Sequence, residues 1–277
     1  AEPPSPGELD ALLRLLDDET PAVRVRVAER LALSNGDLSQ WLATQPRSLT
    51  LIERKLLVEM LKPPRREILI REWVAPTGGA GALGEDWEAF ESLLRILSDF
   101  LHDGISLRQP LSDALDSLAE EANDFGVVTA NELREFLFSG KRLVGNQQNY
   151  YDPRNSDLAW CLSESRSNPL GLCLIYILVG RRLEFEIEGI NFPSHFMCRI
   201  FENGLPWIVD CFDQGRLHLQ STVLENQELS KTHRDVLREF THPGTILLRL
   251  LNNLYKSFEQ NDCVEDAALI KQIQASL

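Results

Sequence analysis

Little in this chain marks a nucleic-acid binder, a membrane protein or a disulfide scaffold. Basic residues are outnumbered: 28 Lys and Arg stand against 42 Asp and Glu, a net charge of −14 at pH 7. Phosphate backbones are held by clustered Lys and Arg, so DNA, RNA and anionic membrane surfaces are not expected partners. The acidic excess itself reads as solubility. No apolar run approaches the ~20 residues that span a bilayer. Residues Ala1, Glu2, Pro3, Pro4, Ser5 and Pro6 have neither the basic start nor the apolar core of a signal peptide. Cysteines are few and odd in number: Cys161, Cys173, Cys198, Cys211 and Cys263, with no CxxC spacing. A disulfide framework and a structural zinc site are therefore not expected, and a reducing cytoplasm is the expected setting. His102, His218, His233 and His242 are too dispersed to suggest a metal site.

What is present is an ordinary globular composition, 43% hydrophobic and 25% charged over 277 residues, enough for two or three domains. The first third reads as helices. Leu9, Leu12, Leu13, Leu15 and Leu16 form a helical stripe, and an acidic turn with Thr20 and Pro21 opens a second helix through Val23, Val27 and Leu31. This helix, turn and helix over residues 8–33 resembles one HEAT-type repeat. Residues 38–61 read as another helical pair. The Gly-rich run 76–85 contains a GxGxxG at Gly79, Gly81 and Gly84. It lacks the preceding buried strand and βαβ unit of a dinucleotide site, so it reads as a linker and no cofactor is expected. Amphipathic helices are predicted over 86–104, 111–122 and 132–138, the last with a capping box at Thr129 and Glu132.

After Pro169 the character changes. Residues 170–179 are apolar on nearly all sides and predict a buried central helix, with Ser167 or Asn168 as cap and Pro169 in its first turn. Strand-like runs follow at 185–190, 195–201, 206–210 and 216–220, with Asn203-Gly204 as a hairpin turn. A helical hairpin over 247–277 closes the chain and resembles a repeat of the TPR type. The expected fold class is α+β: a mostly helical chain with a buried central helix packed on a small antiparallel sheet. The expected domains are 1–75 helical and HEAT-like, 76–85 linker, 86–240 the α+β core and 241–277 the C-terminal hairpin.

Cys173 on the central helix, His195 opening one strand and Asp210 closing the next have the residue types and chain order of a thiol-nucleophile site. The run Tyr150-Tyr151-Asp152-Pro153-Arg154-Asn155-Ser156, then Arg166 to Pro169, Ile175-Tyr176, Gly180-Arg181-Arg182-Leu183, Pro193-Ser194-His195-Phe196 and Asp210-Cys211-Phe212 resembles the bacterial SirB-type transglutaminase-like family. The likeness covers roughly residues 90–277. It implies a transglutaminase-like, papain-related core, in which active members of the wider superfamily carry a cysteine at the start of the central helix. Carried over, the histidine is His195, the aspartate is Asp210, and the cysteine position falls on Pro169, which is no nucleophile. Cys173 lies four residues later on the same helix face. The dipole of the helix fades within its first turn, so Cys173 would need His195 within hydrogen-bond reach to be activated. Cysteine in an apolar helix is more often a small core residue. Cys198 and Cys211 read as packing positions, and the loop 152–156 as turn and cap.

Two main readings follow. One is a catalytically degenerate transglutaminase-like protein that binds or regulates a protein partner through its helical ends. The other is a cysteine hydrolase or acyl-transferase using Cys173, His195 and Asp210. A third is a pocket at His195 and Asp210 that binds a ligand without covalent chemistry.

Overall fold

The computed structural model describes residues 2–277. The described chain divides into two compact units, one made of residues 2–74 and 99–108, the other of residues 75–98 and 109–277. The first unit holds α1 (Pro6–Leu13), α2 (Pro21–Ala32), α3 (Ser39–Ala43) and α4 (Leu51–Glu72). Leu16, Leu31, Leu57 and Leu61 are wholly buried in its core, and Ile105 joins them. Ser5 caps α1, and Thr50 with Glu53 forms a capping box on α4. The sequence places a helix end near residue 61, but α4 runs on through Pro63 and Pro64 to Glu72. The two prolines remove two backbone donors, while the apolar spacing continues to Leu69, which is buried.

The boundary between the units falls within α5 (Trp87–Leu101). That helix ends earlier than residue 104, because Asp103 draws the next turn onto itself by accepting from the N–H groups of Ile105 and Ser106. In the second unit lie residues 76–85, read from composition as a Gly-rich linker. Residues 80–83 make a 3-10 turn with Ala80 and Leu83 buried, and the Ala80 N–H donates to Leu277 O.

The second unit continues with α6 (Leu111–Asp124), α7 (Ala130–Arg134), α8 (Leu158–Glu164) and α9 (Pro169–Arg182). Between them, β1 (Val144–Gly145) and β2 (Arg166–Ser167) pair in parallel. Four strands, β3 (Ile187–Ile190), β4 (Met197–Glu202), β5 (Leu205–Asp210) and β6 (Arg216–Leu219), form an antiparallel sheet in sequential order. Asn203 and Gly204 both take positive φ, as the tight β4–β5 turn requires. Then come α10 (Gln220–Leu224), α11 (Lys231–Arg238), α12 (Pro243–Gln260) and α13 (Val264–Ala275), the last two a packed helical hairpin.

Helix α9 is the centre of this unit. Residues 169–180 are all buried. It lies on the sheet at β3 and β4, and at Gly180 an added Cβ would stand 2.4 Å from Ile187 Cδ1, so a larger residue there would push the Ile187 side chain aside. The opposite sheet face is covered too: Ile190 and Ile208 pack with Leu237 of α11. The result is a mixed helical and sheet core, with the buried helix predicted after Pro169 in the predicted place.

Candidate functional site

Asn168 caps α9 by accepting from the Gly171 N–H at 2.9 Å, and Pro169 occupies the first turn. Pro169 is buried, so the position that opens the helix offers neither a nucleophile nor access. Beneath it, Ser167 Oγ donates to Asn155 O at 3.0 Å, and Asn146 bonds Asn155. Asp157 accepts from Ser98 and from the Trp160 N–H that starts α8. The loop 152–156 is a 3-10 turn capped by Asp152, in keeping with its reading as turn and cap.

His195 and Asp210 meet. Nε2 lies 2.8 Å from Asp210 Oδ2, an ion-pair distance, with the imidazole about a third exposed. Opposite charges stand at hydrogen-bond distance, and each group favours the ionised form of the other. Ser194, just before, holds a left-handed φ of 63° in the turn that the His195 N–H closes onto Phe192 O. Asp210 also accepts from the Phe212 and Asp213 N–H groups, at 3.1 and 3.0 Å. Its neighbour holds the imidazole pKa above the usual value, against the opposing effect of burial. Burial works against the Asp210 carboxylate, yet His195 and the two backbone donors hold it below its ordinary range.

The His195 ring meets Phe212 edge-on at 6.3 Å, and Phe212 meets Tyr150 at 6.2 Å. Arg249 from α12 donates Nη1 to Phe192 O at 2.7 Å, the same carbonyl that accepts the His195 N–H. Sequence reading did not single out Arg249 or Phe212, although Phe212 lies in a motif that carries the resemblance.

Cys173 is fully buried, and no hydrogen bond joins it to His195. Its Sγ lies 3.5 Å from Phe196 O, and Cys198 directs its Sγ to Cys173 O at 3.9 Å. The sulfurs of Cys173, Cys198 and Cys211 all lie within 4.8 Å of one another. Burial opposes a thiolate at Cys173, but the thiols of Cys198 and Cys211 outweigh it and bring the pKa below the ordinary value, with His195 a lesser influence. Burial, reinforced by Cys173, pushes the Cys198 and Cys211 thiols well up. The sequence reading of Cys198 and Cys211 as packing residues describes their burial but misses their convergence.

A central helix on an antiparallel sheet, with His and Asp at the ends of adjoining strands, is the layout of a transglutaminase-like core. A model of the transglutaminase-like superfamily matches residues 106–252, just over half of the chain, and the chain belongs to that superfamily. A UPF0162 protein of Xylella fastidiosa (strain Temecula1) is 32% identical over 149 residues, 49% of this chain and 51% of that protein. The human F-box only protein 21 is 28% identical over 165 residues, 54% of this chain and 25% of that protein. A UPF0162 protein of Pseudomonas aeruginosa is 29% identical over 105 residues, covering 37% of this chain and 38% of that protein. The chain spans about half the length of the Xylella relatives and a quarter of the human one. No solved structure matches it. No helix among the described residues is long and apolar enough to cross a membrane.

Proposed function

We propose that this chain is a catalytically degenerate transglutaminase-like protein of the SirB type, acting through a protein partner. The observation that carries this reading is Cys173: the one thiol on the central helix is sealed from solvent and bonded to Phe196 and the other cysteines rather than to His195. Pro169 fills the expected nucleophile position. The His195–Asp210 pair remains as a polar, part-exposed feature without a thiol to activate, and it offers the partner an orienting contact. On this reading the N-terminal helices are HEAT-like and α12–α13 TPR-like, both arrangements suited to holding a partner. The match to a limited part of the human F-box only protein 21 supports use of such a core as a module in larger proteins. Five free cysteines, four of them buried, favour a reducing cytoplasm as its setting.

The alternative is a thiol hydrolase or acyl-transferase with Cys173 as nucleophile, His195 as base and Asp210 orienting it. It is favoured by the 2.8 Å His195–Asp210 contact and the lowered Cys173 pKa. Alkylation of each cysteine in the folded protein, followed by mass spectrometry over a range of pH, separates the two. The expected outcome is ready labelling of Cys263, which is partly exposed, and protection of Cys173 until the protein is unfolded. Rapid Cys173 labelling that disappears in His195→Ala would overturn the degenerate reading.

A further inference from the structure

We propose that Cys173, Cys198 and Cys211 together bind one soft monovalent cation, Cu(I), in a three-sulfur site between the central helix and the sheet. The three ligands come from three places. Cys173 is on α9, Cys198 is on β4, and Cys211 directly follows β5. The β4–β5 register pairs Cys198 with Val209. Cys211 lies two residues beyond Val209, on the same sheet face by strand alternation. Helix α9 covers that face and brings Cys173 to both.

Size and donor chemistry then select the ligand. A metal–sulfur bond of about 2.3 Å sets planar three-coordinate sulfurs about 4 Å apart. The observed limit of 4.8 Å lies within reach of small side-chain rotations. Thiolate donors are soft and favour Cu(I), zinc or iron–sulfur clusters over hard cations. Among the described residues, no fourth His, Cys, Asp or Glu atom lies within that distance of all three. Zinc completes a tetrahedron with a fourth ligand, and a site exposed to 1% or less is closed to bulk water as the source of one. An iron–sulfur cluster requires four cysteines and space for sulfide. Cu(I), which accepts three thiolates, is the cation that fits.

The charge balance is explicit. With Cys173 as thiolate and the other two as thiols, binding Cu(I) releases two protons and leaves two negative charges on the complex. Arg249 and His195 are the cationic groups whose fields reach Cys173, with Asp210 opposing them. The cation would link α9 to the sheet by metal–sulfur bonds, so it would stabilise the core rather than act on a substrate. The proposal does not depend on the reading of His195 and Asp210.

The test uses the full chain with Cys263→Ser, which removes the part-exposed thiol. Cu(I) is supplied anaerobically and challenged with the chelator bathocuproine disulfonate. One Cu(I) per chain is expected to be retained, with a raised melting temperature and an X-ray absorption spectrum showing a shell of three sulfurs. Cys198→Ser and Cys211→Ser are each expected to weaken retention by at least roughly tenfold, while Cys161→Ser leaves it unchanged. Loss of all Cu(I) to the chelator from the folded chain would overturn the proposal. So would equal retention in the Cys198 and Cys211 variants, or a shell containing nitrogen or oxygen. The absorption spectrum of the unsubstituted cluster decides the matter even where a serine variant fails to fold.

Discussion

At His195 the energetics depend on one neighbour. Asp210 raises the imidazole pKa, burial lowers it, and Arg249 adds a smaller lowering effect. A folded pKa above the unfolded value of ~6.5 means the histidine's contribution to stability is complete below ~6.5 and fades as pH rises through the folded pKa. Asp210 behaves oppositely. Its folded pKa is depressed, so its contribution is complete above ~3.9 and fades as pH falls through the folded value. The pair therefore contributes most between about pH 4 and 6.5. Since the imidazole is 34% exposed, the contribution is expected at about 1 kcal/mol or less. Histidine NMR titration should place His195 above the ordinary value in the wild type and lower in Asp210→Asn. An unchanged His195 titration in Asp210→Asn would show that the contact does not hold in solution. Both members of this pair were legible in the sequence, because the resemblance fixes them by position. The distance of Cys173 from that pair in hydrogen-bonding terms was not legible, because it depends on how deeply α9 sits against β4.

At the scale of elements, the start of α9 shows how local signals and packing combine. Asn168 and Pro169 announce the helix in the sequence, and the structure uses Asn168 as the cap. Asn168→Ala should cost about 1 kcal/mol through the lost Gly171 N–H bond. Gly171 has a different role. An added Cβ there would stand 2.0 Å from Ser167 Oγ and 2.9 Å from Asn155 O. Gly171→Ala is therefore expected to cost about 1–3 kcal/mol by overpacking and to disturb the Ser167–Asn155 bond. Equilibrium denaturation of both variants checks the order, with Gly171→Ala the more damaging. The same contrast explains which elements the sequence revealed. The Thr129–Glu132 capping box and the Asn203-Gly204 turn are local and appear as expected. The run of α4 through two prolines is not local, because burial of Leu61 and Leu69 on either side outweighs the breaker signal. The Gly-rich run 76–85 likewise looks like a tether by composition, while contacts remote in sequence give it a fixed turn: Ala80 O lies 2.0 Å from where a Cβ on Gly244 would stand.

For the molecule as a whole, the decisive fact is that the first unit is not continuous in sequence. Residues 99–108 belong with residues 2–74. Leu38 N–H donates to Gly104 O at 2.8 Å, His102 faces Asp37, and Ile105 is 6% exposed within the leucine core of that unit. Gly104 has a φ of +74°, and a Cβ on it would stand 2.3 Å from Gly36 O, so two chain segments meet backbone to backbone there. A composition break at residues 76–85 suggests cutting the chain at that point, but a fragment of residues 1–75 would lose this second segment. Truncating a buried isoleucine typically costs about 2–5 kcal/mol, a large part of the total stability of a small helical unit. Fragment 1–75 is therefore expected to melt with little cooperativity by circular dichroism, whereas fragment 1–108 recovers a helical transition. In the full chain, Ile105→Ala should lower the transition of the first unit while the alkylation pattern of Cys161, Cys173, Cys198 and Cys211 in the second stays unchanged. Equal, sharp melting of fragments 1–75 and 1–108 would show that the leucines of α1 to α4 suffice alone, and the partner-binding role proposed for those helices could then be studied on the shorter piece.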